Sequence, residues 1–126
     1  MAQPADLLYS KEHEWVKVDG QVATIGITDY AQNSLGDIVY VELPKVGAKI
    51  AQFSSVGVVE SVKAVSDLFT PIGGEVTEVN AELENDPAVV NRDPYGGGWM
   101  FKLKLSDGAQ TGGLLSPGDY DKLVSE

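Results

Sequence analysis

The stretch EWVKVDGQVATIGI (residues 14–27) restricts the fold more than any other part of the chain. Two alternating, β-branched runs meet at Asp19-Gly20. Asp-Gly between such runs is a strong short-range signal for a β-hairpin, because both residues tolerate the backbone of a tight turn. Similar runs recur. DIVYVEL (residues 37–43) alternates and stops at Pro44, and SSVGVVESV and AVSDLFTPI flank Lys63. GGEVTEVN (73–80) and GWMFKLKL (98–105) read as further strands. Short helices fit between them. TDYAQNSLG (28–36) has Thr28 or Asp29 as N-cap, apolar Ala31 and Leu35 on one side, and Gly36 as its stop. NAELENDPAVVN (80–91) reads as short helix and loop opened by Asn80, and SPGDYDKLVSE (116–126) as a helix with Ser116 as cap and Pro117 at its first position. Many short strands, few helices and no linker predict a mostly β sandwich or barrel, in a single domain over residues 1–126.

Charge narrows the partners. The 126 residues hold 19 acidic and 9 basic side chains, a formal net charge of -10. Such a chain repels phosphate backbones and anionic membranes, which argues against nucleic acid and membrane as ligands. Cysteine is absent, which removes disulfides, thiolate metal sites and cysteine nucleophiles. The start, MAQPADLLYSKEHEW, has neither a secretory nor a mitochondrial pattern, so a cytoplasmic protein is expected unless a mitochondrial presequence was removed.

Catalytic machinery is hard to find. His13 has no partner nucleophile in recognisable order and reads as an exposed residue at a strand edge. No GxSxG elbow or phosphate-binding loop is present, and YGGGW (95–99) reads as a turn into a strand. Glu82 and Glu84 suit the start of a helix, and Trp15 and Trp99 suit the core. No metal-ligand pattern is evident, and the expectation is a protein that is not an enzyme.

The segment VVESVKAVSDLF (58–69) is a hairpin without the usual turn residues. Its tip, residues 61–64, is Ser-Val-Lys-Ala, where Gly or Asn would tolerate positive φ. Lys63 has two readings: a solvated lysine that blunts a strand edge, or an amine presented on rigid strands for another enzyme to modify. Composition and spacing do not choose between them.

ESVKAVSDLF resembles the lipoyl-lysine hairpin of the glycine cleavage H proteins. HEW (13–15), GITDYAQNSLGDIVYVELPKVG (26–47), GVVESVKA (57–64), GEVTEVN (74–80) and VVNRDPYGGGWM (89–100) are similar to stretches of that family, in the same order. The resemblance implies a lipoyl domain-like barrel-sandwich hybrid of two small antiparallel sheets with short added helices. It implies lipoate joined by an amide to Lys63, attached by a lipoate ligase or a lipoyl/octanoyl transferase. Glu60, Ser61, Val62 and Ala64 are then the residues that support the turn or are read by that enzyme. The implied role is a monomeric carrier of aminomethyl groups and reducing equivalents among glycine decarboxylase (P protein), aminomethyltransferase (T protein) and dihydrolipoyl dehydrogenase (L protein). Glu14 and Asp67 match acidic family positions and are candidates for a cleft that holds the loaded arm. Two departures stand out. GAQTGGLL (108–115) replaces a Glu- and Leu-rich helix, and QFSSVGVV (52–59) lacks a glycine often found before the first arm. A lipoyl domain of a 2-oxoacid dehydrogenase would usually carry Asp-Lys-Ala, and a biotin carrier would flank its lysine with Met. An H-like donor or scaffold for lipoylating other proteins remains the alternative function.

Overall fold

The computed structural model describes residues 7–105 and 114–125. In chain order the first elements are β1 (Leu8–Tyr9), β2 (Glu14–Asp19), β3 (Val22–Ile27), α1 (Asp29–Leu35), β4 (Ile38–Glu42), β5 (Lys49–Ile50) and β6 (Ser55–Ser61). They are followed by β7 (Val65–Phe69), β8 (Gly74–Val79), α2 (Glu82–Asn85), α3 (Val89–Arg92), β9 (Phe101–Leu105) and α4 (Pro117–Ser125). One sheet has the order β1-β2-β3-β9-β8-β5 and the other β4-β6-β7, with every pairing antiparallel. The architecture expected from the sequence is therefore present, as two sheets that share a core without closing into a barrel.

The core follows from strand alternation. Val16, Ile25 and Phe101 lie side by side across β2, β3 and β9, and Ala23, Leu103 and Val76 form the next row. Val41, Val59 and Leu68 from the smaller sheet complete the same apolar cluster. Trp15, adjacent to Val16, points the other way. It is buried with Leu7, Tyr9 and Tyr120 in a second cluster beneath α4. Its indole N–H donates to the Pro94 carbonyl at 2.9 Å. Trp99 is only partly buried and packs at the margin of that cluster, with the Lys102 ammonium 5.0 Å from its ring centroid.

Several local expectations are refined. The β2–β3 turn falls at Gly20-Gln21, because Asp19 is still paired with Val22. A leading glycine with φ 65° suits that turn, so Asp19-Gly20 marked the hairpin but missed its register by one residue. Thr28 is the N-cap of α1, its hydroxyl accepting from Ala31 N–H at 3.2 Å. Gly36 ends the helix at φ 82°. Residues 80–91 form two short helices with Pro87 between them. Asn80 caps weakly through Oδ1 (3.3 Å to Glu82 N) and spends its amide on the carbonyls of Gly97 and Trp99. Strands β1 and β5 are too short to show a periodicity. Of GAQTGGLL, residues 108–113 lie outside the described residues; Leu115 pairs with Tyr9, and Ser116 accepts from Asp119 N–H at 3.2 Å.

Gly57 lets β6 lie against the backbone of β4. A Cβ at this position would strike the Glu42 carbonyl of β4, at the point where the β6–β7 ladder shifts. Gly57→Ala is expected to destabilise the fold by roughly 2 kcal/mol or more, because backbone rather than a flexible side chain must yield. Thermal and urea unfolding check this.

Candidate functional site

The tip around Lys63 explains its own composition. Ser61 N–H donates to Ala64 O at 2.8 Å. The Ser61 hydroxyl oxygen accepts the N–H groups of Lys63 at 3.3 Å and Ala64 at 3.1 Å. A serine side chain therefore closes the turn, as hydroxyl-based turns do. Among the described residues only His13 and Phe53 combine a side chain with positive φ, so no tip residue needs glycine's freedom. Val62 and Val65, 68% and 67% exposed, flank the lysine, whose ammonium has no ion pair among the described residues.

A platform holds this tip. Ser61 is paired with Ile38, and Val62 N–H donates to the Asp37 carbonyl at 3.1 Å. The lysine stem passes Gly36, where an added Cβ would sit 3.6 Å from Lys63 Cε. The turn between α1 and β4 is in turn clamped by Asn91. Its amide donates to Gln32 Oε1 and Gly36 O, both at 2.9 Å, and its oxygen accepts from Ile38 N–H at 2.8 Å. The Asn-Arg-Asp-Pro pattern gave no hint of this role, since Asn91 acts across 53 to 59 residues of chain. Ser61, Val62 and Ala64 form the turn that carries Lys63, and Glu60 precedes it on β6. Glu14 and Asp67 lie away from the tip.

Glu14 lies at the other end of the hairpin. It is 2% exposed, and its Oε1 accepts from Ser10 Oγ at 2.6 Å. The Phe69 backbone N–H also bonds this carboxylate. Burial raises its pKa from 4.5 to about 7, opposed by the Ser10 bond and supported by the nearby Glu12 charge. A pocket of about 320 Å³ opens beside it, lined by Ser10, Lys11, Glu12, Phe53 and Phe69. Asp67 is exposed on β7. Alternation puts Val65, Asp67 and Phe69 on one side of that strand, a track of about 13 Å from the tip to the pocket at the usual rise. Phe53, at φ 65°, supplies a pocket wall. The exposed-edge reading of His13 is overturned. It is half-buried, in contact with Tyr30 and Tyr120, because the turn before β2 folds under α4.

Comparison with known proteins gives this arrangement a family. The pattern that describes the glycine cleavage H-protein matches residues 7–126. The chain belongs to this family. Members carry a covalently attached lipoate on a lysine and serve as carriers rather than enzymes, which makes this chain a lipoyl carrier. It is 59% identical over 123 residues to the glycine cleavage system H protein of Carboxydothermus hydrogenoformans, covering 98% of this chain and 95% of that one. It is 60% identical over 122 residues to the counterpart in Opitutus terrae, covering 96% of each. The crystal structure of a glycine cleavage system H protein from Mycobacterium marinum superposes with a TM-score of 0.91 at 37% identity, covering 98% of this chain and all of that one. The H-protein chain fits its cofactor chemically: an exposed, unpaired primary amine stands on a braced turn.

The Glu14 shift has a signed consequence for stability. A raised pKa means that the folded state holds the proton more tightly than the unfolded state. Stability from this group is therefore full below pH 4.5 and lost as pH rises through about 7. Glu14→Gln removes that loss, so the variant should gain on the wild type across this range, by up to about 3 kcal/mol above it. Urea unfolding as a function of pH measures the widening gap.

Proposed function

We propose that Lys63 is the residue that carries lipoate, as an amide on Nζ, and that residues 1–126 act as one carrier domain of the glycine cleavage system. The observation that carries this reading is the exposed lysine at the end of a braced hairpin, within a chain that matches the H-protein family almost end to end. Lipoate supplies a dithiolane that is reduced as it takes up the aminomethyl group of glycine and is reoxidised afterwards. Acylation removes the lysine's positive charge and leaves the strands behind it to set the pivot.

The remaining residues divide by position. Glu60, Ser61, Val62 and Ala64 present Lys63 to a lipoate ligase or a lipoyl/octanoyl transferase. The Glu14 pocket receives the end of the arm. Its aromatic walls suit an apolar chain, and the Glu14 carboxyl, buried behind Ser10 and Phe69, suits an ammonium, which draws the proton off Glu14 and gains a charge-assisted bond. Asp67 lies on the track between tip and pocket and keeps a cation near the surface. The partners are the glycine cleavage enzymes: glycine decarboxylase, aminomethyltransferase and dihydrolipoyl dehydrogenase. The carrier works as a monomer, which leaves the tip free to enter each of them. No helix among the described residues is long and apolar enough to cross a membrane, and the similar H proteins come from bacteria, which supports a cytoplasmic location.

Mass spectrometry after incubation with lipoate ligase, lipoate and ATP tests the attachment. One lipoyl group on the tryptic peptide containing Lys63, and none on Lys63→Arg, is expected. No addition while a control carrier is modified in the same tube sinks the assignment. For the pocket, Glu14→Gln should speed hydrolysis of the loaded arm about tenfold, the equivalent of one lost charge-assisted bond. Asp67→Asn should have a smaller effect. Unchanged rates in both variants would remove the pocket from the cycle.

A further inference from the structure

His13 and Tyr120 have no task in the carrier cycle, yet their surroundings are closely specified. His13 has φ 69°, a backbone that sterics oppose for any residue with a side chain. Several contacts hold it there. Its N–H donates to Ser10 O at 3.1 Å, and its carbonyl accepts from Thr28 N–H at 3.0 Å. Its ring lies against Tyr30, with centroids 4.7 Å apart, and edge-on to Tyr120. Nδ1 is 2.8 Å from the Tyr120 hydroxyl, which is also 2.7 Å from Thr28 Oγ1.

Burial lowers the His13 pKa against the opposing pull of Glu12, and burial raises that of Tyr120, so both groups are neutral near neutral pH. In one proton arrangement the unprotonated Nδ1 accepts a hydrogen bond from the Tyr120 hydroxyl. Thr28 O–H then donates to the tyrosine oxygen while Thr28 Oγ1 accepts Ala31 N–H. The other titratable groups at this junction are Glu12 before β2, Glu14 on β2, Asp29 and Tyr30 on α1, Tyr95 before β9 and Asp121 on α4.

The turn that His13 ends is also the pocket wall. Ser10, Lys11 and Glu12 line the cavity, and Ser10 Oγ is the hydrogen-bond partner of Glu14. One four-residue turn thus holds a pocket wall at its start and a helix anchor at its end. We propose that Tyr120, on the C-terminal helix α4, is a positioning residue for the Glu14 pocket, acting through His13 on the turn of residues 10–13. The functional value of this coupling rests on the pocket receiving the arm, whereas the coupling itself exists in the unmodified protein.

The test therefore uses the unmodified chain and reads the Glu14 carboxyl titration by carbon NMR, so it stands whether or not Lys63 is lipoylated. Tyr120→Phe keeps the ring that stacks on Tyr9 at 4.7 Å and removes only the hydroxyl. His13→Asn keeps a residue tolerant of left-handed backbone and removes the imidazole. Each should lower the Glu14 midpoint from about 7 by a unit or more as water reaches the carboxyl, a tenfold change in its ionisation ratio. The double variant should shift it no further, since both act through one contact. Val124→Ala weakens the packing of α4 without touching the hydrogen-bond chain and should leave the midpoint in place. An unmoved midpoint in Tyr120→Phe and His13→Asn overturns the proposal, as does an equal shift in Val124→Ala. If Tyr120→Phe does not fold, His13→Asn decides.

Discussion

The position of Lys63 depends on the hydrogen bond from Val62 N–H to the Asp37 carbonyl, together with the pairing of Ser61 and Ile38 beside it. A two-stranded ribbon is marginal on its own and would let its tip wander. These contacts make the β6–β7 tip part of a three-stranded sheet almost to its end. Asn91 extends the brace by fixing the turn that supplies the Asp37 carbonyl. The rigidity of an exposed lysine is thus built from polar groups some distance away in sequence, while Gly57 lets β6 lie close enough to β4 for the sheet to exist.

The two ends of this hairpin solve opposite problems. At the tip, the groups that could tie down the lysine are backbone-directed, and its ammonium is left to solvent. At the other end, a carboxyl is taken out of water and given a serine hydroxyl and a backbone N–H as partners. Such a site is costly for an anion and comfortable for a neutral acid. A chain with net charge -10 has carboxylates everywhere on its surface, so charge alone cannot mark a site. Burial distinguishes Glu14 from Asp67, whose carboxylate remains exposed on β7.

Much of the fold was legible in the sequence because its signals are local. Alternation found β2, β3, β4 and β6 to β9, and Thr28 and Gly36 bounded α1. Errors appear where a local signal leaves a choice. Asp19-Gly20 permits two turn registers, and cross-strand pairing selects one. A histidine between two glutamates looks solvated until α4 folds over it. The tip residues were readable because they are contiguous, and the family resemblance made an ambiguous lysine the candidate attachment site. Asn91, Phe53, Phe69 and Ser10 were not readable, because each acts on a segment far along the chain.

A carboxyl with a pKa of about 7 is roughly half protonated at neutral pH. In the carrier role proposed above, a cation that settles against Glu14 displaces its proton into solvent, and the cation's departure takes that proton back. Docking of the arm therefore has a proton stoichiometry. Its measured heat depends on the ionisation enthalpy of the buffer, and its strength rises with pH across the titration of a single side chain.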